Sequence, residues 1–264
     1  MSLIGEERKA YILQLLQLEG KVRTNDLVDR LQVSSETIRR YLEELEEQHR
    51  LKRVYGGAVK PDVSREELSY MNREIIHAEE KQRIGRTAAS LIEDRDVIYI
   101  DDGTTTEQLL PYMLDKRHVT VLTIAVPVLH LLIDYANQGR FDGDIIMIGG
   151  RVSAKHARVS GAFAEQMAES FHVDKSFLSI DGMMLEKGIT TFDPERGRLA
   201  RKIMDRSGQC IVMTDRSKFG RVHFYKIADL RQIHIVVSDV AAPEAWGAYL
   251  REHDVNWICA GDER

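Results

Sequence analysis

The chain has 264 residues, 43% of them hydrophobic and 30% charged, with a formal net charge of −5. That length holds one large or two ordinary domains. No run reaches the roughly 18 apolar residues a membrane span needs, and Leu3 and Ile4 give way at once to GEERK rather than to a leader peptide, so a cytoplasmic protein without a membrane partner is predicted.

Cys210 and Cys259 each sit in an apolar run and read as reduced, buried core thiols. The histidines show no ligand spacing, so neither a metal nor another cofactor is expected. Charge is uneven along the chain. Residues 1–60 carry 11 Lys/Arg against 10 Asp/Glu, a balance of +1, while the remainder stands at −6. This fits a small DNA-facing module on an acidic body.

The first 60 residues read as helices followed by a hairpin. EERKAYILQLLQLEG places Lys9, Ile12, Leu15 and Leu16 at helical spacing, with Gly20 as a stop. Thr24 is expected to cap TNDLVDRLQ, striped by Leu27, Val28 and Leu31. After the turn QVSS, Ser34 or Ser35 caps ETIRRYLEELEEQHR, whose Ile38, Leu42 and Leu45 turn inward. LKRVYGGAVK then reads as two short strands about a Gly-Gly turn. That order is a winged helix-turn-helix.

On such a module the start of the third helix enters the major groove. Ser34, Ser35 and Thr37 suit phosphates or base edges, and Arg39 and Arg40 suit phosphates or guanine. Lys52, Arg53 and Tyr55 on the hairpin are candidates for backbone contacts. Glu43, Glu44, Glu46 and Glu47 would be repelled by phosphate and should face away from it.

Residues 61–78 open with Pro61, are polar, and read as a linker that partly becomes helix. From residue 79 to 264 apolar strands alternate with amphipathic helices. EEKQRIGRTAASLI precedes VIYID, a helix after DDGTTT precedes VTVLTI, and further helices precede DIIMIGG, KSFLSIDG and QCIVMTD. QIHIVVSD, a helix containing EAWGAYLREH, and NWICA close the chain. This is the pattern of an α/β domain with a mostly parallel sheet covered on both faces.

SSETIRRYLEEL followed by LKRVYGGAV resembles the DNA-binding signature of the DeoR family of bacterial transcriptional regulators, matching at Ser34, Thr37, Ile38, Arg39, Arg40, Leu42, Arg53, Tyr55, Gly56 and Gly57. Tyr41 stands where the family usually carries aspartate, and so is expected to tune base preference. His49 and Arg50 stand where a glycine often precedes the wing. IGRTAASLI, IDDGTTT, IGG, VSG, SIDGM and TDRSKFG look like the DeoR-type sensor domain. The resemblance implies a sensor fold similar to ribose-5-phosphate isomerase and glucosamine-6-phosphate deaminase, and a phosphorylated sugar or polyol as effector. Thr123-Ile124-Ala125 departs from the usual Thr-Asn. Arg196 and Ala200 stand where relatives often carry a glutamate and a lysine. Arg196, Arg198 and Arg201 make that helix unusually basic.

In open α/β sheets ligands bind beyond the C-terminal strand ends, and the motifs fall there. Gly103 lets backbone approach a ligand, and Thr104, Thr105 and Thr106 offer hydroxyls. Asp101 and Asp102 suit sugar hydroxyls or the orientation of the loop. Gly149, Gly150 and Arg151, then Asp181 and Gly182, end later strands, and TDRSKFG adds Asp215, Ser217, Lys218 and Gly220. Lys218 is the strongest candidate for pairing with a ligand phosphate.

The expectation is a repressor of a carbohydrate or polyol catabolic operon. It would bind double-stranded operator DNA as a homodimer or homotetramer and respond to the phosphorylated effector. The alternative is isomerase or deaminase activity in the C-terminal domain, with Asp101, Asp102 or Asp181 as base.

Overall fold

The computed structural model describes residues 3–47, 50–59 and 67–261. His49 and residues 61–66 of the expected linker lie outside the described residues. Contacts divide the chain into two units, residues 1–66 and 67–264. The last two thirds of the expected linker, residues 67–78, therefore belong to the second unit.

In the first unit α1 (Leu3–Glu19), α2 (Thr24–Leu31) and α3 (Ser35–Glu47) enclose Ile12, Leu15, Leu16, Leu27, Ile38, Leu42 and Leu45. Thr24 is the first residue of α2 rather than its cap, and Arg23 before it makes no capping bond. Ser34 caps α3 and accepts from the Thr37 amide at 3.2 Å. A short strand β1 (Lys21–Arg23), unexpected from its polar sequence, joins β2 (Lys52–Val54) and β3 (Gly57–Val59) in the antiparallel order β1-β3-β2. The β2–β3 turn is Tyr55-Gly56, where Gly56 takes a φ of +79°, a left-handed conformation that favours glycine.

The second unit begins with α4 (Tyr70–Ile75) and α5 (Ala78–Ala89) and is built on a parallel sheet. Its strands are β4 (Val97–Ile100), β5 (Thr120–Thr123), β6 (Ile145–Met147), β9 (Val173–Ser179), β12 (Ser207–Thr214), β14 (Ile235–Ser238) and β15 (Asn256–Cys259). The order is β15-β14-β12-β9-β4-β5-β6, and every neighbouring pair is parallel. Side chains alternate across it. Ile98, Ile100, Val121, Phe177, Ile211, Met213 and Val237 face a core shared with α5 and α6 (Val126–Asn137). Tyr99, Leu122, Leu178, Val212 and Val236 face a second core with α7 (Ala162–Ala168) and α8 (Pro194–Met204).

The segment after DDGTTT is a 3-10 helix, Thr106–Tyr112, with Pro111 inside it, rather than an α-helix. Proline lacks the N–H that a helical ladder would use. Two small antiparallel additions escape sequence reading because their strands are three or four residues long. They are the hairpin β7 (Arg151–Ser153) with β8 (Arg158–Ser160), and β10 (Gly182–Met184), β11 (Gly188–Thr191) and β13 (Tyr225–Ala228). The helix α9 (Gly247–Glu252) precedes β15 at the sheet edge. That edge position leaves Cys259 exposed, against expectation, whereas Cys210 is buried. Among the described residues no helix is long and apolar enough to cross a membrane.

Candidate functional site

In the first unit the exposed start of α3 presents Ser35, Arg39 and Arg40 to solvent, with Thr37 half-buried beside them. Ser34 is exposed, but its hydroxyl is engaged by the Thr37 amide and lies 3.0 Å from the Thr37 hydroxyl. Tyr41 differs from expectation. It is only 7% exposed and packs in the module core. Ile38, Tyr41, Leu42 and Leu45 form one inward stripe at i, i+3, i+4 and i+7, so Tyr41 acts through packing and not at a base-reading surface.

Glu43, Glu44 and Glu46 have identifiable partners. Glu44 accepts from buried Lys9 of α1 at 2.9 Å. Glu46 accepts from the Arg53 amide at 2.7 Å, and Glu43 pairs with the Arg53 guanidinium at 3.2 Å. Arg53 thus ties the wing to α3 instead of standing free for phosphate. Lys52 is exposed on β2, and Tyr55 at the wing tip is fully exposed.

In the second unit the strand order runs outward from β4 in both directions, through β5 and β6 on one side and β9, β12, β14 and β15 on the other. The crevice beyond β4 and β9 is the topological switch point, where ligands sit in such sheets. Asp101, Asp102 and Gly103 follow β4, and Asp181 follows β9. A Cβ on Gly103 would lie 2.2 Å from the Ser179 side chain. Glycine is therefore required there by the neighbouring strand, whatever ligand approaches.

The floor of the crevice is filled by two buried arginines that sequence reasoning missed in this role. Arg196, in the first turn of α8, donates to Asp102 at 2.6 Å, Asp101 at 2.8 Å, the Ser179 carbonyl at 2.7 Å and the Thr191 hydroxyl at 2.9 Å. It also lies 3.3 Å from Asp181. Arg158, on β8, clamps Glu67 through both terminal nitrogens at 2.7 and 2.8 Å and reaches Asp102 and Asp193 at 2.8 Å. Burial opposes ionisation of Asp102, yet Arg196, Arg158 and Arg73 outweigh it and hold that carboxyl well below its usual range. Burial raises the neighbouring Asp101, against the pull of Arg196.

These contacts revise the expected ligand set. Asp102 and Asp181 are buried, and their oxygens already accept from Arg196 and, for Asp181, from Thr191 and Phe192. Thr106 is fully buried with its hydroxyl on the Asp101 and Gly103 carbonyls. All three shape the floor and leave no group pointing outward. The same engagement removes Asp101, Asp102 and Asp181 as free general bases. Gly182 follows Asp181 into β10, where a Cβ would lie 2.5 Å from the Arg221 carbonyl oxygen. Gly149 and Gly150 line a separate open depression of about 610 Å³ with Phe163 and Met167. Arg151 is exposed and paired with Glu195 at 2.5 Å. Arg151 touches the buried network only at second hand, through Glu195, whose amide donates to the Asp193 carboxylate that Arg158 holds.

Cations gather at the rim instead. Lys81 of α5 is buried and donates to the Thr104 hydroxyl at 2.9 Å and to the Arg73 carbonyl. Burial pushes its ammonium down to about 8, opposed by Asp215 and reinforced by the like charges of Lys218 and Arg73. Lys218 is half-buried in the turn after β12, and no carboxylate lies within ion-pair distance of its ammonium among the described residues. Burial raises Asp215, but Lys218 and Ser217 bring it below its ordinary value. Thr105 is buried next to Thr104. Lys81 was legible in principle, since it heads the buried stripe Lys81, Ile84, Gly85, Ala88 of α5.

A winged helix-turn-helix followed by an α/β body with a crevice at its switch point is the build of a transcriptional regulator. Known proteins agree. Residues 8–63 match the DeoR-like helix-turn-helix domain and residues 76–240 match the DeoR C terminal sensor domain. The chain belongs to the DeoR family of transcriptional regulators. It is 35% identical over 96% of its length to the HTH-type transcriptional repressor GlcR of Bacillus subtilis (strain 168), of which the match covers 95%. To the glycerol-3-phosphate regulon repressor of Escherichia coli (strain K12) it is 29% identical, over 94% of this chain and 96% of that protein. Among solved structures, ribose 5-phosphate isomerase A from Methanocaldococcus jannaschii aligns over 54% of this chain and 55% of its own, at 12% identity and a TM-score of 0.39. The relatives are regulators, and this chain is a regulator and not an enzyme.

Proposed function

We propose that the protein represses a carbohydrate or polyol catabolic operon in the cytoplasm, and that a phosphorylated sugar or polyol bound at the rim of the β4–β9 crevice releases it from operator DNA. The observation that carries this reading is the meeting of Lys81 and Lys218 beside the hydroxyl of Thr104. Like charges held together destabilise one another, and a phosphate dianion relieves both at once. The buried aspartates behind the rim are neutralised by Arg158 and Arg196, so they repel the anion less than their number suggests. Names among the relatives point the same way, since one represses the glycerol-3-phosphate regulon. Two copies of α3 reading a two-fold operator require at least a homodimer, or a homotetramer built from it.

A thermal-shift panel of hexose, pentose and polyol phosphates tests the reading. At about a hundredfold excess over Kd, a native-state ligand adds ~2.7 kcal/mol, which raises Tm by roughly 5–10 °C for a unit of this size. A panel that moves Tm no further than the unphosphorylated sugars would overturn it.

Lys218→Ala should weaken the bound phosphate about tenfold to a hundredfold, as expected for one charged hydrogen bond, with operator affinity in the absence of effector unchanged. A variant released from DNA as readily as the parent removes Lys218 from the site. Effector affinity should also depend on pH. Lys81 is cationic below its folded pKa of about 8, so binding should hold up to that pH and weaken as pH rises through it. Lys81→Met should abolish that dependence, as read by calorimetric titration across the range.

A further inference from the structure

We propose that the backbone carbonyl of Arg73 is an internal competitor for the anion seat: a phosphate that takes Lys81 and Thr104 evicts it, and so frees the segment 67–77 that leads from the DNA-binding module into the sensor. This rests on the effector site argued above and adds how that site is regulated.

The segment lies against the crevice through a small set of contacts. Glu67 is buried and held by Arg158. Tyr70 donates its hydroxyl to Glu107 at 2.6 Å and its amide to the Lys155 carbonyl at 3.0 Å. The Arg73 carbonyl receives both the Lys81 ammonium and the Thr104 hydroxyl. Those two donors are the ones the proposed phosphate needs. Thr104 has a single hydroxyl hydrogen to give. A carbonyl oxygen and a phosphate oxygen drawn to the same donors also repel one another, so occupancy is exclusive.

The docked segment is not fully satisfied. The Arg73 guanidinium lies 3.3 Å from Glu67 and 3.8 Å from Asp102, but its Nε and Nη2 are buried without a hydrogen-bond partner. Buried donors left unpaired oppose docking, which keeps the latch weak enough for a ligand to open.

The consequence for DNA follows from chain length. Residues 67–77 at full extension span roughly 35 Å. Release frees part of that length for the tether of each DNA-binding module. A longer tether lowers the effective concentration of the second module at its half-site, so paired binding weakens with no change to α3 itself.

The full-length chain is titrated with glycerol 3-phosphate and with inorganic phosphate, against chloride at matched ionic strength. Binding is followed by tryptophan fluorescence. Trp246 and Trp257 both pack on Phe219, at 5.9 and 5.5 Å between ring centroids, and Phe219 directly follows Lys218. Hydrogen exchange is read in parallel. Saturation should accelerate exchange of amides 70–75 about tenfold or more, while amides 104–107 become slower. Tyr70→Phe removes a strap contact and touches no anion donor. It should tighten phosphate binding about three- to tenfold and loosen operator binding, because the coupling is reciprocal. If neither anion binds, the effector-site reading falls and this inference with it. If an anion binds while amides 70–75 stay as protected as before, or if Tyr70→Phe weakens anion binding, release of the segment is wrong and the effector site stands.

Discussion

Arg196→Leu should lower the unfolding free energy of the sensor unit by about 3–5 kcal/mol, the range for removing one partner of a buried ion pair. Arg196 is 1% exposed and is the shared partner of Asp101, Asp102 and Asp181, all of them buried. Without it three carboxylates remain in a site that water does not reach. Urea denaturation followed by circular dichroism reads the loss. A shift below about 1 kcal/mol, the scale of ordinary surface substitutions, would show that the network contributes little.

The pH dependence should change sign as well as size. In the parent, Asp102 and Asp181 ionise below their ordinary range because the arginines overcome burial. A carboxylate with a depressed folded pKa stabilises above its unfolded pKa, and that contribution is lost as pH falls through the folded value. In Arg196→Leu burial acts with less opposition and the folded pKa values rise above the unfolded ones. Stability is then lost as pH rises and is recovered in mild acid. Adding Asp101→Leu to Arg196→Leu should return part of the lost stability, since removing both partners leaves less uncompensated charge than removing one.

The arrangement around Arg196 also marks where sequence reading succeeded and where it stopped. The parallel sheet was legible because its strands are continuous apolar runs, and the winged module because its helices keep a 3.6-residue stripe. The same stripe carried more than was taken from it. Arg196, Leu199, Ala200 and Ile203 are spaced i, i+3, i+4 and i+7 and all are buried, so Arg196 belonged to the inward face by periodicity alone. Read only as one of three arginines that make the helix basic, it was grouped with Arg198 and Arg201, which pair instead with Glu165 and Asp205. Tyr41 was misplaced in the same way on α3. Glu67, Arg73 and Arg158 had no local signal. Arg158 pairs with Glu67 across 91 positions, and one sequence holds no periodicity for such a contact. Residues 67–78 read as linker because they are polar, yet their polar groups are what bind them to the crevice.

Arg39→Ala with Arg40→Ala should weaken operator binding by about 2–6 kcal/mol, taking ~1–3 kcal/mol for each arginine lost from a base edge or phosphate. The fold should survive. Both residues are exposed, and the Arg40–Glu44 approach of 3.9 Å is a surface pair that contributes little, so the melting curve of the module should stay within about 0.5 kcal/mol of the parent. The salt dependence separates the two roles. If both arginines hold phosphates, the slope of log K against log salt falls by about one for each; if either reads guanine, the loss concentrates on particular positions of an operator selected from a random duplex pool. The run of glutamates behind them gives the control. Arg53 pairs with Glu43 and Glu46, so Glu43→Gln with Glu46→Gln should release Arg53 and unfix the wing. Two negative charges leave the DNA-binding module in that variant, so simple electrostatics predicts tighter binding, whereas loss of the wing's anchor predicts a weaker, less selective complex. Selective binding should fall. A double glutamine variant that bound its operator more tightly and as selectively as the parent would mean that the glutamates only oppose DNA, and that the charge split along α3 has no architectural purpose.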